Sequence, residues 1–278
     1  MGNVLGAGLG QAPAKQVALQ ASLPETVICS TVNKVCASGM KAVMNGTQSI
    51  ALGLNTVVVA GGMESMSNAP YLLEKARAGF GYGHQQVVDH ILKDGLWDAH
   101  YQIHMGDCAE ETAAKYGIGR EAQDSFAIES YKRATAAWSS GSFKEEIVPV
   151  PIVGKRETDQ VAFITEDEEY KNVDFDKVSK LKPAFKKDGG TVTAANSSTL
   201  NDGASALLLM SKSKADSLDK RPLAKILAMA DAECNPKQFT IAPSLAIPKA
   251  LQMAGIAISQ VDLFEINEAF SVVALANQ

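Results

Sequence analysis

No two of the four cysteines, Cys29, Cys36, Cys108 and Cys234, stand in a paired spacing such as Cys-x-x-Cys. A disulfide framework is therefore not expected, and a reducing compartment suits the chain better. No apolar run reaches the roughly 18–20 residues that a bilayer-spanning helix needs, so membrane insertion is not expected. Positive charge is not in excess either: 26 Lys and Arg face 31 Asp and Glu, for a net charge of −5. A general polyanion binder is usually basic, which argues against nucleic acid as a partner and leaves room only for a local basic patch. The opening Met1-Gly2-Asn3-Val4-Leu5-Gly6 has neither a basic stretch followed by an apolar one nor an Arg-rich amphipathic pattern, and no targeting peptide is visible.

What is there is a globular composition. The 278 residues are 46% hydrophobic, enough for one large or two ordinary domains with a sizeable core. Residues 12–23 read as a short amphipathic helix stopped at Pro24, and 27–32 as β-prone. A helix of small residues follows over 37–54, where Ala37, Ser38, Gly39, Ala42 and Gly46 would allow very close packing. The apolar run 56–60 has the pattern of a strand buried on both faces. Strand, helix, strand in this order suggests a parallel α/β layer. Residues 106–116 and 120–138 read as helices, the second with Ala127, Tyr131, Ala134 and Trp138 at helical spacing. The stretch 147–152 is extended, and 166–187 is highly charged. A second buried-strand run lies at 204–210, then a polar helix at 211–219. A new unit follows: β-like 223–230, helical 244–254, and a strand at 261–266 leading through Asn267-Glu268-Ala269-Phe270 into a helix.

Cys36 is the residue with the most chemistry in its setting. It lies between a β-prone segment and a helix, where unpaired backbone N–H groups and the positive end of the helix dipole would favour the nucleophilic thiolate. A buried structural cysteine is the other reading of a lone Cys. Cys29, in an apolar segment, reads as core.

The words around Cys36 are more specific. Val35-Cys36-Ala37-Ser38-Gly39, Gly61-Gly62-Met63-Glu64-Ser65-Met66-Ser67, Ile103-His104-Met105-Gly106, Asn196-Ser197-Ser198-Thr199-Leu200-Asn201-Asp202-Gly203-Ala204 and Asn267-Glu268-Ala269-Phe270 occur in the order of the thiolase family. The chain resembles that family over its whole length, and most nearly its mitochondrial biosynthetic members. The resemblance implies an α/β thiolase-like fold of α-β-α-β-α layers with an inserted loop domain. Residues 1–68 with 198–222 would form the N-terminal domain, 69–197 the loop domain that clasps coenzyme A, and 223–278 the start of the C-terminal domain. It implies an acyltransferase that condenses two acetyl-CoA to acetoacetyl-CoA, or runs the thiolytic reverse, by ping-pong transfer through Cys36. A ketoacyl synthase of the same superfamily is disfavoured by the insertion and by the His104 and Asn267 motifs.

The same resemblance assigns the remaining roles. Asn267 would hold a water in an oxyanion hole, and the backbone N–H of Cys36 would help form a second. His104 and Met105 would line the pantetheine and acyl pocket, although His104 also reads as an ordinary helix-start residue. Asn172, Val173, Asp174 and Lys177 would contact coenzyme A, with Ser198 near the pantetheine; Lys177 suits a phosphate. Phe185, Phe239 and Phe270 are candidates for the acyl pocket wall or for plain core. Potassium would be held by the Tyr131 hydroxyl and the carbonyls of Ala194, Ala195 and Ser197, with a core role for Tyr131 as the competing reading. Coenzyme A thioester is the substrate, no further cofactor is expected, and a homotetramer is usual in the family. The compartment implied is the mitochondrion, with the cytoplasm second.

Three departures from the family stand out. Asn172 replaces a frequent Arg, and Ser197 an Ala. The activating His of Gly-His-Pro and the acid/base Cys of Cys-x-Gly are not in the sequence: the four histidines are His84, His90, His100 and His104. The resemblance therefore implies a thiolase lacking elements at both ends. Each positioned acid/base group typically contributes about 10²–10⁴-fold. Hence the second reading: a truncated, catalytically incompetent form that binds coenzyme A or full-length subunits without turnover.

Overall fold

A computed structural model describes residues 1–152 and 161–278; of the charged insertion expected at 69–197, residues 153–160 lie outside the described residues. The helices are α1 (Pro13–Gln20), α2 (Ser38–Ala51), α3 (Met105–Tyr116), α4 (Arg120–Ser140), α5 (Glu169–Asn172), α6 (Phe175–Val178), α7 (Lys212–Ser217), α8 (Ala242–Ala254) and α9 (Ser271–Ala276). The strands are β1 (Val57–Ser65), β2 (Tyr71–Leu72), β3 (Val88–Asp89), β4 (Trp97–Asp98), β5 (Ile103–His104), β6 (Val150–Ile152), β7 (Ala162–Ile164) and β8 (Asp202–Met210). They pair as β1–β8, β2–β3, β4–β5 and β6–β7, all antiparallel. The chain divides into two compact units. One comprises Met1–Met105, Leu200–Asp231 and Ile247–Gln260; the other comprises Gly106–Thr199, Ala232–Ala246 and Val261–Gln278.

In the first unit, nine residues of β1 run against nine of β8, from Val57 opposite Met210 to Ser65 opposite Asp202. Helix α2 covers one face of this ribbon. A Cβ added at Gly46 of α2 would lie 3.0 Å from Val58 and 3.1 Å from Leu209, which are register partners. At the start of α2 the approach is closer still. A Cβ on Gly2 would meet the Gly39 nitrogen and the Ser38 carbonyl carbon at 2.5 Å, and one on Gly62 would meet the Gly39 Cα at 3.3 Å. Backbones this close leave no space for side chains. Gly2 forms isolated parallel bridges to Val32 and Gly62, so parallel pairing at the expected layer is reduced to single bridges.

Glu64 explains part of the Gly-Gly-Met-Glu word. Its carboxylate accepts hydrogen bonds from the backbone N–H of Val4 and Leu5 at 2.9 and 3.0 Å and from the buried Asn3 side chain at 2.9 Å. One carboxylate thus satisfies three donors and ties the segment at residues 3–5 to β1.

The second unit is organised around α3 and α4. Cys108, Ala109 and Ala113 of α3, Ala127 of α4 and Val272 and Val273 of α9 are buried. The carboxylate of Glu110, itself buried, accepts from the N–H of Thr191 and of Val192, each at 2.8 Å, and from the Thr191 hydroxyl at 2.9 Å. Arg120 pairs with Asp124 at 2.6 Å and donates to the carbonyls of Val178 and Leu181 at 2.8 and 3.0 Å. Asp124 accepts from the Asn196 amide at 2.9 Å. Glu110, Arg120, Asp124 and Asn196 are thus paired along the path from α3 through α4 to residues 191–196, whereas Gln123 Oε1 and Thr193 Oγ1 on the same path have no hydrogen-bond partner.

Several expectations are corrected. The run 56–60 and the run 204–210 form one antiparallel ribbon, and they are not buried on both faces: Val59 is 47% and Leu208 61% exposed, because α2 covers only the opposite face. Residues 223–230 and 261–266 form no strand; Leu223 and Leu263 are exposed, and β-propensity alone makes no ladder without a strand to pair with. Of 27–32 only Val32 pairs, and Ile28 points to solvent. Cys29 is half-buried rather than core.

The tight backbone contacts give a direct test. A Cβ at Gly61 would sit 2.0 Å from the Ser205 carbonyl oxygen, whereas one at Gly203 meets nothing within 4 Å. Gly61→Ala should lower unfolding stability by about 1–3 kcal/mol or more through overpacking. Gly203→Ala should stay within about 0.5 kcal/mol of the parent. Urea unfolding midpoints of the two variants compare them.

Candidate active site

Cys36 sits two residues before α2, on a turn built by its neighbours. The N–H groups of Ala37 and Ser38 donate to the carbonyls of Lys34 and Val35, each at 3.1 Å. The Ser38 hydroxyl accepts from the Lys34 N–H at 2.8 Å and donates to the Val35 carbonyl at 2.5 Å. Val35 lies in the left-handed region with φ 48°. On the flanks, Asp231 pairs with Lys41 at 2.6 Å and with Lys34 at 3.8 Å, and these two lysines hold its carboxyl below the usual range.

This geometry corrects the expectation that the helix N-terminus favours a thiolate. The residue as a whole is exposed, but the protein packed about its sulfur pushes the thiol above its ordinary value, and the hydrogen bond at its own backbone N–H offsets only part of that. The N–H groups of Ala37 and Ser38, expected to face the sulfur, are spent on the turn. Cys36 therefore rests as a thiol, and its reaction needs a base. In the same unit, His104 closes β5 against Trp97 of β4, and Met105 begins α3; both are half-buried.

The other candidate residues lie in the second unit. A Cβ on Gly106 would sit 2.3 Å from the ring of Phe185, so this glycine makes the seat for that ring. Phe185 meets Phe270 edge-on, centroids 6.3 Å apart. Phe270 pairs with Ser197 across an antiparallel bridge, and the Ser198 N–H donates to the Ala269 carbonyl at 2.9 Å. The structure thus brings Phe185, Ser197, Ser198 and the Asn-Glu-Ala-Phe segment together. Asn267 itself is exposed, and Phe239 is half-buried.

On α4, the Tyr131 hydroxyl donates to Glu169 of α5 at 3.0 Å. Burial first, then the hydrogen bond to Glu169 and its negative charge, push the phenol up to about 12. Asn172 closes α5 and is exposed; Val173 is half-buried. Asp174 caps α6 by accepting from the Asp176 N–H at 3.1 Å, and it pairs with Lys177 at 2.8 Å. Tyr131 and the segment 172–177 are therefore linked through Glu169. Ala194 is exposed and Ala195 half-buried on the loop that Asn196 anchors. Glu169 was not singled out in the sequence, and Ser38 only as a small residue allowing close packing. Ser38 stood inside the cysteine motif, and Glu169 inside an acidic run that reads as a solvated face.

Among the described residues, no group of three or more His, Cys, Asp and Glu is placed to hold a metal ion, and no helix is long and apolar enough to cross a membrane.

The family model for the thiolase N-terminal domain matches residues 1–213 and that for the C-terminal domain residues 220–278. The chain belongs to the thiolase family. It is 56% identical over 277 residues to acetyl-CoA acetyltransferase 2 of Arabidopsis thaliana, covering all of this chain and 68% of that protein. It is 53% identical to the mitochondrial acetyl-CoA acetyltransferase of Mus musculus, covering 64% of it. The chain spans about two thirds of the length of these relatives. The Acat5 thiolase of Ascaris suum, solved in complex with coenzyme A, superposes with a TM-score of 0.93 at 45% identity, covering 99% of this chain and 70% of that one. The acetyl-CoA acetyltransferase of Bacillus anthracis gives 0.95 at 39% identity, covering 100% and 69%.

Tyr131 offers a pH test. Its folded-state pKa stands above the ordinary value of 10.0, so the unfolded hydroxyl ionises first. The stability it contributes is present below pH 10 and is lost as pH rises from 10 towards 12. Tyr131→Phe should flatten the decline of the urea midpoint over that window.

Proposed function

We propose that this chain carries the acetyl-accepting chemistry of an acetyl-CoA C-acetyltransferase, with Cys36 as the nucleophile. The observation that carries it is a single exposed cysteine on a braced turn ahead of α2, in a chain more than half identical to acetyl-CoA acetyltransferases over its whole length. In the acylation half-reaction the Cys36 sulfur loses its proton to a base and attacks the thioester carbonyl. The sulfur–acetyl bond forms, the bond to coenzyme A breaks, and coenzyme A leaves as its thiol. In the condensation half-reaction the methyl carbon of a second acetyl-CoA loses a proton to a base and bonds to the acetyl carbonyl carbon. The sulfur–acetyl bond breaks, Cys36 regains a proton as its thiol, and acetoacetyl-CoA leaves; thiolysis is the reverse.

The remaining assignments follow the same reading. Segment 69–197 is the loop domain that clasps coenzyme A. Asn172, Val173, Asp174, Lys177 and Ser198 contact it, with Lys177 leaving its exposed pair with Asp174 for a phosphate; a surface pair of this kind holds weakly. In the first unit His104 and Met105 take the acyl and pantetheine contacts that the reading assigns them, and in the second Phe185 takes an acyl-wall role and Asn267 holds the oxyanion water. For potassium, a Tyr131 kept protonated presents a neutral hydroxyl oxygen, and the carbonyls of Ala194, Ala195 and Ser197 do not depend on side-chain identity. A tetramer in the mitochondrion completes the reading, supported by relatives of that compartment.

Incubating the purified protein with acetyl-CoA and measuring intact mass tests the core of this. A gain of one acetyl group, absent in Cys36→Ser, is expected. No adduct, or an adduct retained in Cys36→Ser, would overturn it.

A further inference from the structure

We infer that Ser38 is a positioning residue for Cys36: its hydroxyl holds Val35 in left-handed backbone so that the thiol is presented from one fixed turn. The inference rests on the reading of Cys36 as the acetyl acceptor.

Left-handed backbone at a β-branched residue is a genuine outlier, and it persists only where the surroundings over-determine it. Val35, at φ 48°, is half-exposed, so packing of its own side chain does not hold it there. The polar contacts do. The Ser38 hydroxyl accepts from the Lys34 N–H and donates to the Val35 carbonyl, closing a clamp around Lys34 and Val35. Ser38 is 4% exposed, so water does not compete for the hydroxyl. The Asn33 side chain accepts the Val35 N–H at 2.9 Å from the other side. Gly2 closes the back of the clamp: a Cβ there would fall 2.8 Å from the Ser38 Cβ. Cys36 follows Val35 directly, so the Val35 dihedrals set the direction in which its sulfur leaves the chain.

Ser38→Ala keeps the Cβ and deletes only the clamp. Val35 should then relax towards ordinary backbone and carry Cys36 with it. Glycine adopts positive φ at no steric cost, so Val35→Gly should make the clamp dispensable. The measurements are the rate of single-turnover acetylation of Cys36 by acetyl-CoA, the rate and pH midpoint of its alkylation by iodoacetamide, and the urea midpoint, for the parent, Ser38→Ala, Val35→Gly and the double variant. Ser38→Ala should slow acetylation about tenfold or more, the scale of a small misplacement of a reacting group. Its alkylation midpoint should fall as the sulfur is released to solvent. The double variant should return to within about threefold of the parent in both, as a conformational origin requires. A residue that only stabilises the fold would not be rescued by a glycine. Parent-like acetylation in Ser38→Ala, or a double variant no better than Ser38→Ala, overturns the inference. If Ser38→Ala does not fold, a folded double variant with parent-like rates supports the inference, and a misfolded or slow one overturns it. If the parent takes no acetyl group, the acetyl-transfer reading fails, while the alkylation midpoints still decide the role of Ser38.

Discussion

Three backbone segments meet at glycines in the first unit, and the surroundings of Cys36 depend on that meeting. Gly2, Gly39 and Gly62 approach so closely that a methyl group at Gly2 would fall inside its neighbour. The approach brings the first turn of α2 onto β1 and fixes where that helix begins. The position of Cys36, two residues upstream, follows from it. Glu64 then anchors the residues after Gly2 through three charge-assisted hydrogen bonds. Packing and polar satisfaction here serve one end, a turn with little freedom.

The second unit uses carboxylates rather than glycines for the same purpose. Glu110 gathers the N–H groups of residues 191 and 192, Asp124 holds Asn196, and Glu169 receives the Tyr131 hydroxyl. Each joins a loop to a helix of the pair α3 and α4, so loops that carry candidate ligand contacts are held by buried or half-buried acids. Such networks are strong while every member is paired.

How much of this was legible in the sequence depended on whether the cause was local. Helices α1, α2, α3, α4 and α9 were readable because spacing, Pro24 and small-residue content act within a few residues of chain. The Cys36 motif was readable as a word, and so was its family. The strands were less so. Residues 223–230 and 261–266 have the composition of strands, yet pairing is a property of two segments and periodicity describes one. The thiol of Cys36 was misjudged for a related reason: the helix N-terminus was visible, but the diversion of the Ala37 and Ser38 N–H groups into a turn was not. Glu64 and Ser38 were present as motif letters without a mechanism. Asp231, 195 residues from Cys36, carried no signal at all.

The charged segment in the second unit has a consequence for how a ligand reaches it. Between residues 166 and 188 there are seven carboxylates and six lysines, so the segment is close to neutral. Lys171 and Lys177 are already neutralised by Glu166 and Asp174 at 2.6 and 2.8 Å. A field built this way cancels within a Debye length. It does not pull an anion in from a distance, in contrast to a basic funnel. The segment itself would add little salt-dependent steering, and discrimination at the proposed coenzyme A contacts would rest on fit.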